Sequence, residues 1–255
     1  MNIAPLSDTK STASTASNLT TGSKQTTSAQ ESATAGPVSH AMDKAVARIQ
    51  NQLDVTSAQL TSFGKLKSSV SEAQLSAKAL SGLSGASTSA SVRTALSRFL
   101  VGMNTAVTTA KTTAALPGSA ISESGSAERV GRDLMRSVTS NPSTVDALKK
   151  LGFKAESDGS FTWDGSKFDA AYAADPAGVR TTLAKLGQAV DPVATKALAT
   201  NANVGDSMTN LSLRATTLKA QQASMLAVVQ KLDAASNNGG NTGYINYGLS
   251  AYLST

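Results

Sequence analysis

Two stretches of this sequence repeat apolar residues in alternating steps of four and three, a pattern that leaves a chain little choice but long helices packed seam to seam. Val204, Met208, Leu211, Ala215, Leu218, Gln222, Met225, Val229 and Leu232 keep the rhythm without a miss. Met42, Val46, Ile49, Leu53, Thr56, Leu60 and Phe63 follow it nearer the other end, and Leu66, Val70, Ala73, Ala77 and Leu80 continue the stripe with a small drift. Single helices of this kind are marginal in water and draw their stability from packing. The expected architecture is therefore mainly α, with long N- and C-terminal heptad helices packed as an antiparallel coiled-coil hairpin or bundle. In that arrangement Val204, Leu211, Leu218, Met225 and Leu232 pack against Met42, Ile49, Leu53, Leu60 and Phe63. Gln222 is a polar group on the seam, of the kind that fixes register or oligomer state. The two methionines of the second seam are read as core filler.

The remaining chain divides around these helices. Residues 1–40 are dominated by Ser, Thr and Ala and hold few large apolar side chains, so they are expected to be disordered, with His40 a solvated loop residue at their edge. Helix one runs over 41–80, with Gly64 weakening it by about 1 kcal/mol relative to alanine. Residues 81–91 are small and polar and read as a linker. A helical domain with an inserted hairpin follows over 92–186. It opens with Val92, Leu96, Phe99, Met103, Ala106 or Val107, and Ala110 on one stripe, stopped by Pro117-Gly118. A shorter helix over 127–139 puts Val130, Leu134 and Val138 on one face, and Arg129, Arg132 and Arg136 read as its solvated side. Gly187 and Asp191-Pro192 are expected to break the chain before the last helical segment, 187–236. Asn237-Asn238-Gly239-Gly240 then stops that helix. A flexible tail over 237–255 carries Tyr244, Ile245, Tyr247, Leu249, Tyr252 and Leu253 and is apolar enough to dock on something.

Residues 143–183 stand apart because helix caps, a turn and large aromatics crowd together there. Ser143 and Asp146 offer a capping box for a helix over 144–151, closed by Gly152. Phe153 and Ala155 alternate with polar neighbours, Asp158-Gly159 suits a tight turn, and Phe161 and Trp163 alternate on the return, which reads as a β-hairpin. Asp164 can cap a helix carrying Phe168 and Tyr172, and Asp175-Pro176 can start another. The expectation is a small α+β knob containing one β-hairpin, with Phe153, Phe161, Trp163, Phe168 and Tyr172 as its core. Trp163, if partly exposed, could also anchor an interface.

No chemistry converges from these residues. The chain has no cysteine and one histidine, which excludes disulfides, thiol catalysis and a histidine-rich metal site. Asp158-Gly159 and Asp164-Gly165 lack the spaced oxygen ligands and closing glutamate of a calcium loop. Asp146, Asp164 and Asp175 read as helix caps. No catalytic residue, metal ligand or cofactor site is expected, and the chain is not expected to be an enzyme. The net charge of +6 is spread out, so no nucleic-acid partner is expected. No run of about 18 apolar residues exists, so no membrane insertion is expected. The N-terminus lacks a basic start followed by an apolar run, so no cleavable secretory signal is expected.

The order of elements resembles a known family. Leu148-Lys149-Lys150-Leu151-Gly152-Phe153, then Asp158-Gly159-Ser160-Phe161, then Asp164 through Asp175-Pro176 and Val179, resembles the C-terminal motif of the flagellar hook-associated protein 2 family, the filament cap proteins. Leu60 to Ser71 is similar to that family's N-terminal helix, Val92 to Asn104 to the helix that begins its C-terminal part, Arg129 to Arg136 to the next helix, and 204–235 to its closing coiled-coil segment. Family members carry large β-rich domains between the first two of these helices. Here the linker at 81–91 takes their place, and Phe161 and Trp163 stand where leucines are common, so the resemblance is to a minimal form. It implies a structural protein secreted unfolded through the flagellar type III apparatus and assembled as a ring-like homo-oligomer at the distal tip of the bacterial flagellum, assisting flagellin polymerisation. The implied partners are further copies of the chain, flagellin, hook-associated proteins and a flagellar export chaperone. The alternative is another type III secreted axial or junction protein, a hook-filament junction component or a translocator, without capping activity.

Overall fold

The computed structural model of the protein describes residues 37–118 and 121–237. The expectations for 1–36 and for the tail beyond 237 lie outside the described residues. Among the described residues the chain is mainly helical, with one two-stranded antiparallel sheet. Its elements are α1 (Pro37–Ser81), α2 (Ser89–Ala114), α3 (Ile121–Thr139), α4 (Pro142–Lys150), β1 (Phe153–Ala155), β2 (Phe161–Trp163), α5 (Gly165–Ala174), α6 (Pro176–Leu198) and α7 (Asn203–Asn237).

Helix α1 is the spine, and its 3.5-residue period shows why. Phe63, Leu66, Val70, Ala73, Ala77 and Leu80 are all buried on one stripe. Three helices lie along it with opposite chain direction. On α2, Thr113 pairs its hydroxyl with Ser62 at 2.8 Å, while Gly102 sits against Ala73 and Ser76 farther along α1. On α6, Gly187 meets Ala77 and Ser81, Asp191 lies 3.8 Å from Lys78, and Thr195 accepts from Gln74 at 2.6 Å. Helix α7 carries the descent on, with Gln222 donating to Gln50 at 2.6 Å. Thus α6 and α7 follow one another down α1, with a short break between Leu198 and Asn203. Helix α3 packs on α2, where Gly131 lets the backbones approach at Ala110.

Several expectations are corrected. Gly187 and Asp191-Pro192 do not break the chain: α6 runs through all three, and the expected boundary at 186/187 falls inside it. A Cβ on Gly187 would run into the Ala77 carbonyl oxygen and stand 2.6 Å from Ser81 Oγ, so this glycine serves close helix contact. Pro192 and Gln188 are both exposed, which leaves the carbonyl freed four residues before the proline on the water side. The capping box of Ser143 and Asp146 is absent. Asn141 is the N-cap of α4 and accepts from the Thr144 N–H at 3.2 Å, while Ser143 donates to Asn141 and Asp146 pairs with Lys149. His40 is not in a loop: it is exposed in the first turn of α1. Helix α3 begins at Ile121, six residues before the apolar stripe suggests, and Glu123 and Ser126 of this added stretch are buried.

The caps at Asp164 and Asp175 are found as expected. Asp164 accepts from the Ser166 and Lys167 N–H groups, and Asp175 accepts from the Gly178 N–H with Pro176 in the first turn of α6. The hairpin pairs Phe153 with Trp163, Lys154 with Thr162 and Ala155 with Phe161. Its turn spans Glu156–Ser160, and Gly159 takes a φ of +81° there.

Candidate functional site

The expected interface residues of α1 and α7 lie along facing stretches of the two helices, but they are not equally covered. Met42, Leu53, Phe63, Val204, Leu211 and Leu218 are buried. Val46, Ile49, Leu60, Met208, Met225, Val229 and Leu232 are half-buried. Burial of the stripe is complete at Phe63, Leu66, Val70, Ala73, Ala77 and Leu80, where α2 and α6 cover α1. It is partial below, where α7 covers one side. In that lower stretch Gln222 donates to the Gln50 amide oxygen across the seam, and Gln50 donates in turn to Asp54 at 2.7 Å.

Polar residues also occupy the seam. Thr56, Gln59 and Ser69 are buried, and Thr56 and Ser69 satisfy their hydroxyls on the carbonyls of Gln52 and Leu66 in the preceding turn. Gln59 escaped sequence reading because it is polar. The signal was its spacing, three residues after Thr56 and four before Phe63.

The aromatic residues of 153–172 form a ladder. Phe153 and Phe161 have ring centroids 5.6 Å apart, Trp163 meets Phe168 edge-on at 5.2 Å, and Phe168 stacks on Tyr172 at 5.9 Å. Phe153, Phe161 and Phe168 are buried in the same cluster as Leu96, Phe99 and Leu183, so the ladder is continuous with the core of the helices. Trp163 and Tyr172 are half-buried at its edge and are closed by cations from other helices. Arg93 of α2 stands 5.6 Å over Trp163 and pairs with Asp169 at 2.9 Å. Arg180 of α6 stands 5.9 Å over Tyr172 and donates to its hydroxyl, which in turn donates to the Ser87 carbonyl before α2.

The residue that holds the hairpin in place was not singled out in the sequence. Asn104 on α2 donates to the Phe161 carbonyl at 2.8 Å and accepts from the Phe161 N–H at 2.7 Å, mimicking a neighbouring strand on the outer edge of β2. Lys111, two turns on, donates to the Asp158 carbonyl of the turn. A side-chain amide reproduces a backbone pairing, and no one-dimensional pattern announces that. Asn104→Ala would strand two backbone groups in a partly buried setting, a cost of about 1–3 kcal/mol. The expected result is a loss of roughly 2–10 °C in Tm together with altered Trp163 emission; unchanged emission and Tm would mean that Asn104 does not hold the strand.

Two carboxylates of the turn titrate low. Hydrogen bonds from the Lys154 ammonium and then the Thr162 hydroxyl hold Glu156 below its ordinary range. For Asp158 the hydroxyl and then the backbone N–H of Ser160 have the same effect. Because the folded-state values are lowered, these contacts support the turn above the ordinary carboxylate values of about 4 and are lost as pH falls through the lowered ones. Carboxyl-carbon NMR titration should place both midpoints below those of unstructured carboxylates. Ser160→Ala should move Asp158 back up and leave Glu156 where it is; an unmoved Asp158 would remove serine as the cause.

Among the described residues no three His, Cys, Asp or Glu side chains gather as metal ligands, and no helix is long and apolar enough to cross a membrane. The two Asp-Gly aspartates are engaged locally: Asp158 accepts from Ser160 and Asp164 caps α5. Arg129 and Arg132 are engaged with Asn203 and Glu128. No protein-family model matches the chain, and no curated protein or solved structure matches it either.

Proposed function

We propose that the chain is a structural, cap-like flagellar protein that assembles at the distal end of the filament and assists flagellin polymerisation, without enzymatic activity. The observation that carries this reading is the order of elements: a long first helix, the helix, hairpin, helix and helix block over 142–198, and a long closing helix on the first. That is the order the sequence resemblance to the hook-associated protein 2 family implies. We further infer that the lower part of α1 and α7 forms an antiparallel coiled-coil hairpin, supported by the heptad spacing and the Gln50–Gln222 pair. The half-buried seam residues there suit association with further copies in a ring-like homo-oligomer. Flagellin, hook-associated proteins and an export chaperone are the further partners of this reading, and the secreted tip of the flagellum is its place.

A second reading has its own observation. The connection between α1 and α2 spans only residues 82–88, where filament cap proteins carry large domains. A short connection favours an axial or junction component without capping activity, such as a hook-filament junction component or a translocator. Electron microscopy of filaments from a deletion strain separates the two. Short or absent filaments with flagellin monomers shed into the medium support capping. Detached or missing filaments on intact hooks, with capping rescued by no added chain, support a junction role. Normal filaments overturn both capping and the junction role and leave the translocator.

A further inference from the structure

The hairpin has two edges, and the fold covers one of them. Phe153 pairs with Trp163 and Ala155 with Phe161, while the Glu156 N–H donates to the Ser160 carbonyl at 2.8 Å and the Asp164 N–H to the Gly152 carbonyl at 3.0 Å. Bonded and non-bonded pairs alternate along an antiparallel ladder, so Phe153, Ala155, Phe161 and Trp163 turn their N–H and C=O groups away from the opposite strand. On β2 the groups of Phe161 meet the Asn104 amide. On β1 the sheet ends, and among the described residues no group pairs with the outward N–H and C=O of Phe153 or Ala155. Such an edge is a template for one more strand.

An apolar cavity opens along this edge. It measures about 180 Å³, and its apolar walls come from Val138 at the end of α3, Val145 and Leu148 of α4, and Phe153 and Phe161 of the hairpin. A cavity of about 150 Å³ holds a benzene ring, so this one has room for a single large apolar side chain. Ala155 also lines it and is exposed, which leaves the cavity open at the strand.

The other face of the same edge is basic. Lys149, Lys154 and Lys167 border a cleft beside Gly152 and Trp163, and the one carboxylate on its walls, Asp164, is committed to capping α5. Lys149 and Lys154 make exposed pairs with Asp146 and Glu156, contacts that an incoming carboxylate exchanges at little cost. Lys167 makes no ion pair among the described residues.

Strand geometry joins these features. A segment added antiparallel to β1 places the residues opposite Phe153 and Ala155 in bonded pairs with their side chains on the cavity face. The residue between them then stands opposite Lys154 on the basic face. The fitting occupant is an extended peptide of the pattern apolar, acidic, apolar. The β1 edge of a second copy does not fit, because that pairing sets Lys154 against Lys154, and like charges directly opposite destabilise a sheet.

We propose that the β1 edge is a docking site for an extended segment of a partner protein. The segment pairs its backbone with Phe153 and Ala155, seats one large apolar side chain among Val138, Val145, Leu148 and Phe161, and sets a carboxylate against Lys154. This inference does not rest on the flagellar reading.

The probe is the peptide acetyl-Thr-Phe-Glu-Leu-Thr-amide, titrated to millimolar concentration into the 15N-labelled full chain. The Phe153 and Ala155 amides, fast to exchange with solvent in the free protein, should shift and gain about tenfold or more in protection. Methylating the backbone nitrogens of the peptide's two apolar residues removes both of its donors to β1 and should weaken binding about tenfold. Exchanging its glutamate for lysine should weaken binding about fivefold or more. In Lys154→Glu, an exposed substitution checked by helical circular dichroism, the preference should reverse in favour of the lysine peptide. Absence of binding at millimolar peptide overturns the proposal, as does binding that ignores both peptide changes, which would assign the cavity to an apolar side chain alone. Phe153 and Ala155 amides already protected in the free chain also overturn it, assigning the edge to the chain itself where protection is independent of protein concentration and to a second copy where it grows with concentration.

Discussion

Gly187→Ala should lower Tm by about 2–12 °C. The added methyl has nowhere to go: the Ala77 carbonyl and the Ser81 backbone N–H, the latter 2.9 Å from the new carbon, belong to a neighbouring helix rather than to a movable side chain. Overpacking of this kind costs about 1–3 kcal/mol, and more where backbone must shift; for a domain of this size each kcal/mol moves Tm by about 2–4 °C. The control is Gly64→Ala on α1, where a Cβ meets nothing within 4 Å. There the same substitution supplies helix propensity worth about 1 kcal/mol, so Tm should rise by a few degrees. Thermal melts of the two variants decide the matter, since helix propensity alone predicts a rise in both. A Gly187→Ala variant as stable as wild type would mean that α6 and α1 do not approach so closely.

The second large effect is expected on the seam. Leu211 is fully buried and Leu218 6 % exposed. Truncating a buried leucine costs about 2–5 kcal/mol, and placing an amide there adds the cost of an unpartnered polar group. Leu211→Asn together with Leu218→Asn should therefore remove an amount comparable to the whole stability of a typical domain, about 5–15 kcal/mol. Helical circular dichroism should fall, and any self-association through the long helices should go with it. Leu213 is two positions along the same helix and 62 % exposed, so Leu213→Asn should change stability by no more than about 0.5 kcal/mol. Unchanged helicity and oligomer size in the double variant would sink the pairing of α7 with α1.

These two experiments mark the line between what was legible in the residues and what was not. The heptad positions of α7 were legible because burial repeats along one helix, and Leu211 and Leu218 could be chosen from spacing alone. The hairpin was legible because its turn is local: Asp158-Gly159 and the alternation on either side act within a dozen residues. Gly187 and Pro192 were misread for the converse reason. Glycine and proline disfavour a helix by about 1 and 3 kcal/mol, and without a view of α1 those costs argue for a break. Burial of Leu183, Leu186, Val190 and Ala194 on the same helix outweighs them. Ser143 and Asp146 matched a capping pattern, yet Asn141, two residues earlier, caps α4 instead; several residues in a row could serve, and the path of the chain out of α3 chose among them.

By itself the sequence determined the helical class, the two long seams, the aromatic hairpin block and the absence of cysteine chemistry, because each of these rests on periodicity, local turn chemistry or composition. Only the tertiary structure decided that α6 runs unbroken across α1 through Gly187, that Asn104 stands in for a strand beside Phe161, and that Arg93 and Arg180 close the aromatic ladder from other helices. Those contacts join residues far apart in the chain, 57 positions in the case of Asn104 and Phe161. Their energies depend on the geometry of approach, which no spacing along one strand of residues records.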